Sequence, residues 1–231
     1  MLTTNRRTLL KQAGLASVLS CTGASILAQT QDAESTKLPF RKLNVAADSK
    51  FIAIFFDFNC PFSAEYFPHL ISWAATLPKT VKAVHYPVVN PEDTAGMTEQ
   101  LIAARCFYAA SLVGNPVKMR MFSEQIFEVR RRYVSELRSG GDAKISPLVD
   151  PVVWVKAAHA SGLNVPSFIS FVQSDLTMRL GKASAQKLFQ YDIRDVPSVG
   201  IGGKYLLSPR NTDGNKEMYF NVLNGFVTEI I

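Results

Sequence analysis

The sequence is poor in the residues that build disulfide frameworks and metal sites. Its 231 residues include only three cysteines and three histidines. Three cysteines are too few to brace a small scaffold that depends on disulfide bonds. Because His69, His85 and His159 do not share a ligand spacing with the cysteines, we expect no metal site. An apolar core must therefore hold the fold, and the 47% hydrophobic content can supply one.

Strong net charge and internal repeats are also missing. The formal charge is +6, and three of its positive charges, Arg6, Arg7 and Lys11, lie in an N-terminal segment without acids. Subtracting these three leaves about +3, which is too little to indicate a nucleic-acid partner. The compact run Arg130-Arg131-Arg132 is interpreted as a solvated helix face, with phosphate or lipid contact as the alternative. The lack of a repeat period argues against a solenoid.

The N-terminal segment carries an export pattern. The run from Asn5 to Lys11, with its paired arginines, resembles the twin-arginine motif, and a moderately apolar stretch from Ala13 to Ala28 follows it. This stretch is short and weakly apolar for a permanent membrane span. We predict a signal peptide over residues 1–28 and a polar linker over residues 29–45. The alternatives are a cytoplasmic N-terminal helix and lipidation at Cys21, which ends a loose lipobox.

The segment around Cys60 carries the clearest chemical signal. An apolar run from Phe51 to Phe58 leads almost directly into Cys60-Pro61-Phe62-Ser63. If a helix begins there, its unpaired N–H groups and its dipole favour a thiolate, and Pro61 suits the first turn. A second cysteine at the fourth position would resolve a mixed disulfide, which Ser63 cannot do. The motif predicts a thiol that forms mixed disulfides and is poorly equipped to resolve them.

Hydrophobic periodicity predicts the order of the elements. Strands are predicted over Phe51–Phe58 and Val81–Val89, a helix over Ser63–Leu77 between them, a hairpin over Val199–Leu207 and a last helix over Asn215–Ile230. Helices are predicted in between at Thr98–Val113, Val117–Arg132, Pro151–Ala160 and Pro166–Phe189. This order predicts an α/β, thioredoxin-like fold with an inserted α-helical domain. We assign residues 46–92 and 190–231 to the thioredoxin-like domain and residues 93–189 to the helical insertion.

With these motifs the chain resembles the DsbA-type thiol:disulfide oxidoreductases of the bacterial periplasm. The matching segments are Phe55–Ser63, Asp195–Ser198 and Gly203–Leu207, together with the helical insert between them. The resemblance implies that the Val196–Pro197 peptide bond is cis and that Val196 faces Cys60. It also implies that the Val196 backbone pairs with a substrate strand beside the sulfur.

The candidate site residues follow from the motif and the resemblance together. We predict Cys60, Ser63 and Pro197 as catalytic residues. Substrate is expected to contact Pro61, Phe62, Val196 and Tyr66. Ser63 has two compatible roles, since its hydroxyl can satisfy a backbone N–H at the helix start or support the Cys60 thiolate.

The sequence departs from the family pattern at three positions. Ser63 replaces the resolving cysteine, Phe62 stands where strongly oxidising members carry histidine, and Ile54 stands where members often keep a buried acid. Asp57 falls on the opposite strand face from Ile54 and is interpreted as a strand-end hydrogen-bonding group rather than a replacement acid. Each change removes a group that tunes or recycles a dithiol.

Three further assignments concern burial. Cys106 is interpreted as a small buried hydrophobe, with a displaced resolving cysteine as the alternative. Phe62, Tyr66 and Phe67 form either an apolar rim for unfolded peptide or ordinary core packing. The aromatic side chains expected in the core are Phe55, Phe56, Phe58, Phe168, Phe171 and Phe189.

Three functions remain open from the sequence. The first is a periplasmic monothiol protein with reductase or isomerase character, whose partners are cysteine-containing or unfolded exported proteins. It would need no cofactor, and glutathione, another thiol or a membrane partner would recycle it. The second is a non-redox peptide-binding chaperone or assembly factor. The third is a kappa-class-like glutathione transferase or isomerase. Asp57–Ser63 matches in part the Asp-Phe-x-x-Pro-x-Ser pattern of that class, but Cys60 stands where the class has serine.

Overall fold

A mixed sheet positions the candidate site. The computed structural model describes residues 39–89, 98–140 and 145–231, so the predicted signal peptide, Cys21 and most of the predicted linker lie outside the described residues. The five strands of the sheet are β1 (Arg41–Lys42), β2 (Phe51–Phe56), β3 (Lys82–Pro87), β4 (Ser198–Ile201) and β5 (Tyr205–Leu207). Their order is β1-β5-β4-β2-β3, and β2 runs parallel to β3 and antiparallel to β4.

Strand β2 is buried on both of its faces. Its residues from Ile52 to Phe56 are 0% exposed, which explains why the strand is continuously apolar rather than alternating. On one face Phe55 packs against the rings of Tyr86 and Tyr191. On the other face Phe56 stacks on Phe67 with ring centroids 3.6 Å apart. The strand therefore links two apolar layers and fixes the position of the loop that follows it.

Seven α-helices lie within the described ranges. They are α1 (Pro61–Ala74), α2 (Glu99–Val113), α3 (Pro116–Arg138), α4 (Pro151–Ala160), α5 (Val165–Val172), α6 (Asp175–Gln190) and α7 (Lys216–Thr228). Helices α2 to α6 follow one another between β3 and β4, in the order that the sequence predicts. The boundaries proposed for the two domains remain a prediction. None of the helices in the described ranges is long and apolar enough to cross a bilayer.

The insert helices begin at polar capping residues. The caps are Thr98, Asn115, Asp150, Asn164 and Ser174, and each side chain accepts a hydrogen bond from a backbone N–H in the first turn. The Ser174 cap corrects the single helix predicted over Pro166–Phe189. The chain ends α5 at Val172 and starts α6 at Asp175, since the Ser174 hydroxyl accepts from Thr177 N–H.

Two other expectations differ from the structure, one in the insert and one before the sheet. Phe189 was expected in the core but is 83% exposed, near the end of α6. The described end of the predicted linker belongs to the sheet, because Arg41 and Lys42 form β1 and pair antiparallel with β5. Val45 is also buried, at 7% exposure.

Candidate active site

Cys60 lies at the junction between the central strand and the first helix. It is the N-cap residue of α1, and Pro61 occupies the first helical position. The Cys60 N–H donates to the Asp57 carbonyl oxygen at 3.1 Å, and its own carbonyl accepts from Ala64 N–H at 3.0 Å. The thiol is partly exposed. It therefore sits at the positive end of a helix dipole, where an anionic sulfur is stabilised.

The loop before β4 faces this thiol. Cys60 Sγ lies 3.1 Å from the Val196 carbonyl oxygen, to which the thiol donates. The Val196–Pro197 peptide bond is cis, and Pro197 is buried. The register of β4 explains the approach, since Phe55 pairs with Ser198 and carries the preceding residues to the end of β2. The structure thus brings together three of the residues that the sequence singles out.

Ser63 links the first turn of α1 to the residue that follows β2. Its side chain is 0% exposed, and its Oγ accepts a hydrogen bond from the Asp57 N–H at 3.2 Å. This agrees with the first of the two roles predicted for the hydroxyl. Within the described residues no hydrogen bond joins Ser63 to the Cys60 sulfur, so the catalytic role of Ser63 remains a prediction.

Two grooves meet at Cys60. The first, which we call the loop groove, has a volume of about 550 Å³ and lies between α1 and the loops before β4 and α7. The second, which we call the α3 groove, has a volume of about 630 Å³ and lies between the start of α1 and the second half of α3. The loop groove is lined by Phe62, Tyr66, Val196, Pro197 and Arg210 among others. The α3 groove is lined by Asn59, Pro61, Phe127, Arg130, Arg131 and Arg138 among others. A molecule bonded to Cys60 can extend into either groove.

The predicted apolar rim is reduced to one exposed ring. Phe62 is 61% exposed and lines the loop groove. Tyr66 is buried, and its hydroxyl donates to the Gly214 carbonyl oxygen at 2.8 Å. Its side chain still forms part of the groove wall. Phe67 is 0% exposed and belongs to the core. Phe62 is thus the apolar side chain of this set that stands open to a ligand.

Asp57 closes the end of β2, as the sequence predicts. Its Oδ1 accepts from Asn59 N–H at 2.9 Å. Burial raises the pKa of the Asp57 carboxyl above its ordinary value, while the Asn59 hydrogen bond and the charge of Arg130 act in the opposite direction. Ile54 is 0% exposed, so an apolar side chain fills that core position.

Arg130 corrects the interpretation of the basic run. Arg131 and Arg132 are exposed and both pair with Glu128, as expected for a solvated helix face. Arg130 is half-buried and lines the α3 groove beside Cys60, a groove that Arg131 also lines. The guanidinium carbon of Arg130 lies 5.0 Å from the centroid of the Tyr133 ring. Sequence reasoning missed this residue, although Phe127 stands three residues earlier on the same helix face and is buried.

The thiol of Cys106 is buried and poorly ionised. It is 3% exposed in α2, and burial raises the pKa of its thiol to about 12. Both described cysteines are free thiols. These observations favour the small buried hydrophobe over a displaced resolving cysteine. No group of three or more histidine, cysteine or acidic side chains in the described ranges is placed to hold a metal ion.

Comparison with known proteins identifies the fold. No protein-family model matches the chain. The chain is 24% identical over 206 residues to the thiol:disulfide interchange protein DsbA of Burkholderia cepacia, covering 89% of this chain and 87% of the relative. Its structure is similar to that of Pseudomonas aeruginosa DsbA, with a TM-score of 0.59, 14% identity and coverage of 83% and 91% of the two chains. It is also similar to a Proteus DsbA bound non-covalently to the peptide PWATCDS, with a TM-score of 0.56, 18% identity and coverage of 83% and 96%.

These similarities confirm the predicted fold class. The chain has the thioredoxin fold with a helical insertion that the DsbA structures share. The curated relative is a thiol:disulfide interchange protein, and the similar structures, at 14–18% identity, show the fold alone.

Proposed function

We propose that this protein is a periplasmic DsbA-like thiol:disulfide oxidoreductase that works through the single thiol of Cys60. The observation that carries the proposal is the position of that thiol, at the start of α1 and 3.1 Å from the Val196 carbonyl oxygen. Ser63 stands at the fourth motif position, and Cys106 is buried in α2. The described chain therefore offers one accessible thiol and no second one placed to resolve its adducts.

The proposed chemistry is thiol–disulfide exchange with no net redox change in the first step. The Cys60 thiolate attacks one sulfur of a substrate disulfide, a new Cys60–substrate disulfide forms, and the second substrate sulfur leaves as a thiolate that takes a proton from water. An external thiol, or a second cysteine of the substrate, then attacks the mixed disulfide and frees Cys60. Without an internal resolving thiol, this cycle favours reduction or isomerisation over strong oxidation.

Two surfaces support the binding of a polypeptide at Cys60. The Val196 backbone beside the sulfur can pair with an extended chain, and the exposed Phe62 ring supplies an apolar contact. The cysteine-containing peptide bound to the Proteus DsbA supports the same class of partner. We therefore propose cysteine-containing or unfolded exported proteins as substrates, with export through the twin-arginine pattern of residues 1–28. A small-molecule thiol or a membrane protein would recycle the site.

Intact mass after exposure to oxidised glutathione tests this function. The full chain carries Cys21→Ser as background, so that Cys60 and Cys106 are the thiols that remain. We expect one glutathione adduct that disappears in Cys60→Ala. Loss of two hydrogens without an adduct would mean that Cys60 and Cys106 pair, and the single-thiol mechanism would be wrong.

A non-redox peptide-binding protein is the second candidate. It is favoured by the two grooves that meet beside the exposed Phe62 ring. On this candidate, binding of a cysteine-free unfolded peptide would survive Cys60→Ala. An unreactive Cys60 together with unchanged peptide affinity would select it over the oxidoreductase.

A further inference from the structure

The α3 groove has a basic wall directly beside the reactive thiol. Cys60 and Pro61 form one side of this groove, and three arginines of α3 form the other: Arg130, Arg131 and Arg138. Its volume of about 630 Å³ is in the range of sites that hold small molecules. A groove of this charge favours an anionic ligand.

Arg130 has hydrogen-bonding capacity that the described chain does not use. Its Nε and Nη1 atoms are buried and have no hydrogen-bond partner among the described residues. Its face-on contact with Tyr133 does not satisfy those N–H groups. Buried guanidinium donors without an acceptor cost free energy, and a ligand that draws the guanidinium into the groove would relieve that cost.

Asn59 leaves a second polar group unmatched in the same groove. The atom assigned as Asn59 Oδ1 is also buried without a partner among the described residues, and Asn59 adjoins Cys60. The side-chain amide can serve a ligand as an acceptor or, with oxygen and nitrogen exchanged, as a donor. Two residues that line the same groove, Arg130 and Asn59, thus hold unmatched hydrogen-bonding groups.

No acidic side chain of the described residues forms a direct ion pair with Arg130. Glu65 lines the groove, but its Oε1 lies 3.3 Å from Lys216 Nζ. Glu128 is engaged by Arg131 and Arg132. Asp57 and Arg130 attract each other electrostatically without such a pair, and Glu99 also acts on Asp57. A ligand carboxylate would give Arg130 a direct ionic partner.

We infer that the α3 groove is a subsite for the carboxylate of a small peptide thiol or disulfide of the glutathione class, held by Arg130 while its sulfur reacts at Cys60. This inference rests on the proposed function and names the recycling partner of the same thiol. Arg130 turns its guanidinium toward the groove to bind the carboxylate, and the side-chain amide of Asn59 hydrogen-bonds an amide of the peptide backbone. In the reaction the Cys60 thiolate takes one half of the ligand disulfide and releases the other half as a thiolate.

The test compares two disulfides that differ in charge. The rate of adduct formation at Cys60 is measured for oxidised glutathione and for cystamine, which carries no carboxylate, on the full chain with Cys21→Ser. We expect Arg130→Met to slow the glutathione reaction about tenfold or more, the scale of one lost charge-assisted hydrogen bond. The cystamine reaction should change less than about twofold, since it makes no such bond. Arg132→Met is the matched control and should leave both rates unchanged, because Arg132 is exposed on the same helix and does not line the groove.

A binding measurement separates this inference from the proposed function. S-methylglutathione cannot react with a thiol, so its affinity, measured by calorimetry, reports the subsite alone, and we expect Arg130→Met to weaken it about tenfold. Normal cystamine reactivity shows that the variant keeps its folded site. Equal slowing of both disulfides by Arg130→Met, or equal effects of Arg130→Met and Arg132→Met, would overturn the subsite. If Cys60 reacts with neither disulfide, the proposed function fails, and S-methylglutathione binding that needs Arg130 still supports the subsite.

Discussion

His85 should link the stability of the fold to pH. The residue lies in β3, where its ring packs edge-on against Phe67 and lines a cavity of about 250 Å³. Its Nε2 is buried without a hydrogen-bond partner among the described residues. Burial lowers the pKa of His85 from its ordinary value to about 4. The folded chain therefore keeps this imidazole neutral at a pH where the unfolded chain protonates it.

The direction and size of the effect follow from this difference. Between pH 6.5 and about 4 the unfolded state binds one more proton than the folded state, so stability falls as the pH falls. The slope approaches about 1.4 kcal/mol per pH unit, and the total loss is at most about 3 kcal/mol. Above pH 6.5 the contribution is complete and no longer changes with pH.

The perturbation is His85→Phe, which keeps an aromatic ring beside Phe67 and removes the proton site. Urea unfolding at several pH values from 4.5 to 7.5 gives the free energy of unfolding for each chain. We expect the variant to lose much less stability than the wild type as the pH falls. Asp57 also titrates differently in the folded state, but both chains carry it, so it cancels in the comparison.

The matched control is His69→Gln, since His69 is an exposed histidine on α1. This variant should follow the wild-type pH profile. Parallel profiles for wild type and His85→Phe would refute the reasoning, because they would show that His85 takes up no extra proton on unfolding.

Three other substitutions test the packing around the site. Gly203→Ala should destabilise the chain by more than about 2 kcal/mol in urea unfolding, because its φ is +63° and an added Cβ would lie 2.0 Å from the Val45 carbonyl oxygen. Tyr66→Phe should cost about 1 kcal/mol through the lost hydrogen bond to Gly214, and an unchanged midpoint would show that this bond adds nothing. Cys106→Ala should cost about 1 kcal/mol in the same assay and leave the rate of adduct formation at the active-site thiol unchanged, whereas a large rate change would give this buried thiol a chemical role.

The sequence predicts elements with a strong local pattern better than it predicts contacts between distant segments. The run from Phe51 to Phe56 and the glycines of the β4–β5 turn are local signals, and each predicts its element. The meeting of Cys60 and Val196 is a long-range contact, 136 residues apart in the chain, and the family resemblance supplied it rather than the pattern. Strand β1 has two residues, and only its pairing with β5 makes it a strand.

The orientation of single side chains within a predicted helix is harder to obtain from sequence. Arg130, Arg131 and Arg132 are chemically alike, but their surroundings differ. Arg130 and Arg131 line the α3 groove, whereas Arg131 and Arg132 pair with Glu128. The direction depends on where α3 crosses α1, which is a tertiary property. The expected burial of Phe189 is wrong for a related reason. Phe189 lies near the end of α6, where its ring faces solvent.

The burial of Cys106 makes it a built-in probe of motion in the helical layer. A thiol reagent needs a sulfur that is both ionised and accessible. Because α2 packs against α5, α6 and β3, the Cys106 sulfur is neither. Alkylation of Cys106 therefore requires transient opening of that layer. The ratio of its labelling rate to that of an unstructured thiol gives the population of the open form, in the manner of hydrogen exchange. Cys60 reacts without such an opening. In one mass spectrum, labelling of Cys60 therefore reports the reactivity of the exposed thiol, and labelling of Cys106 reports the opening of the helical layer.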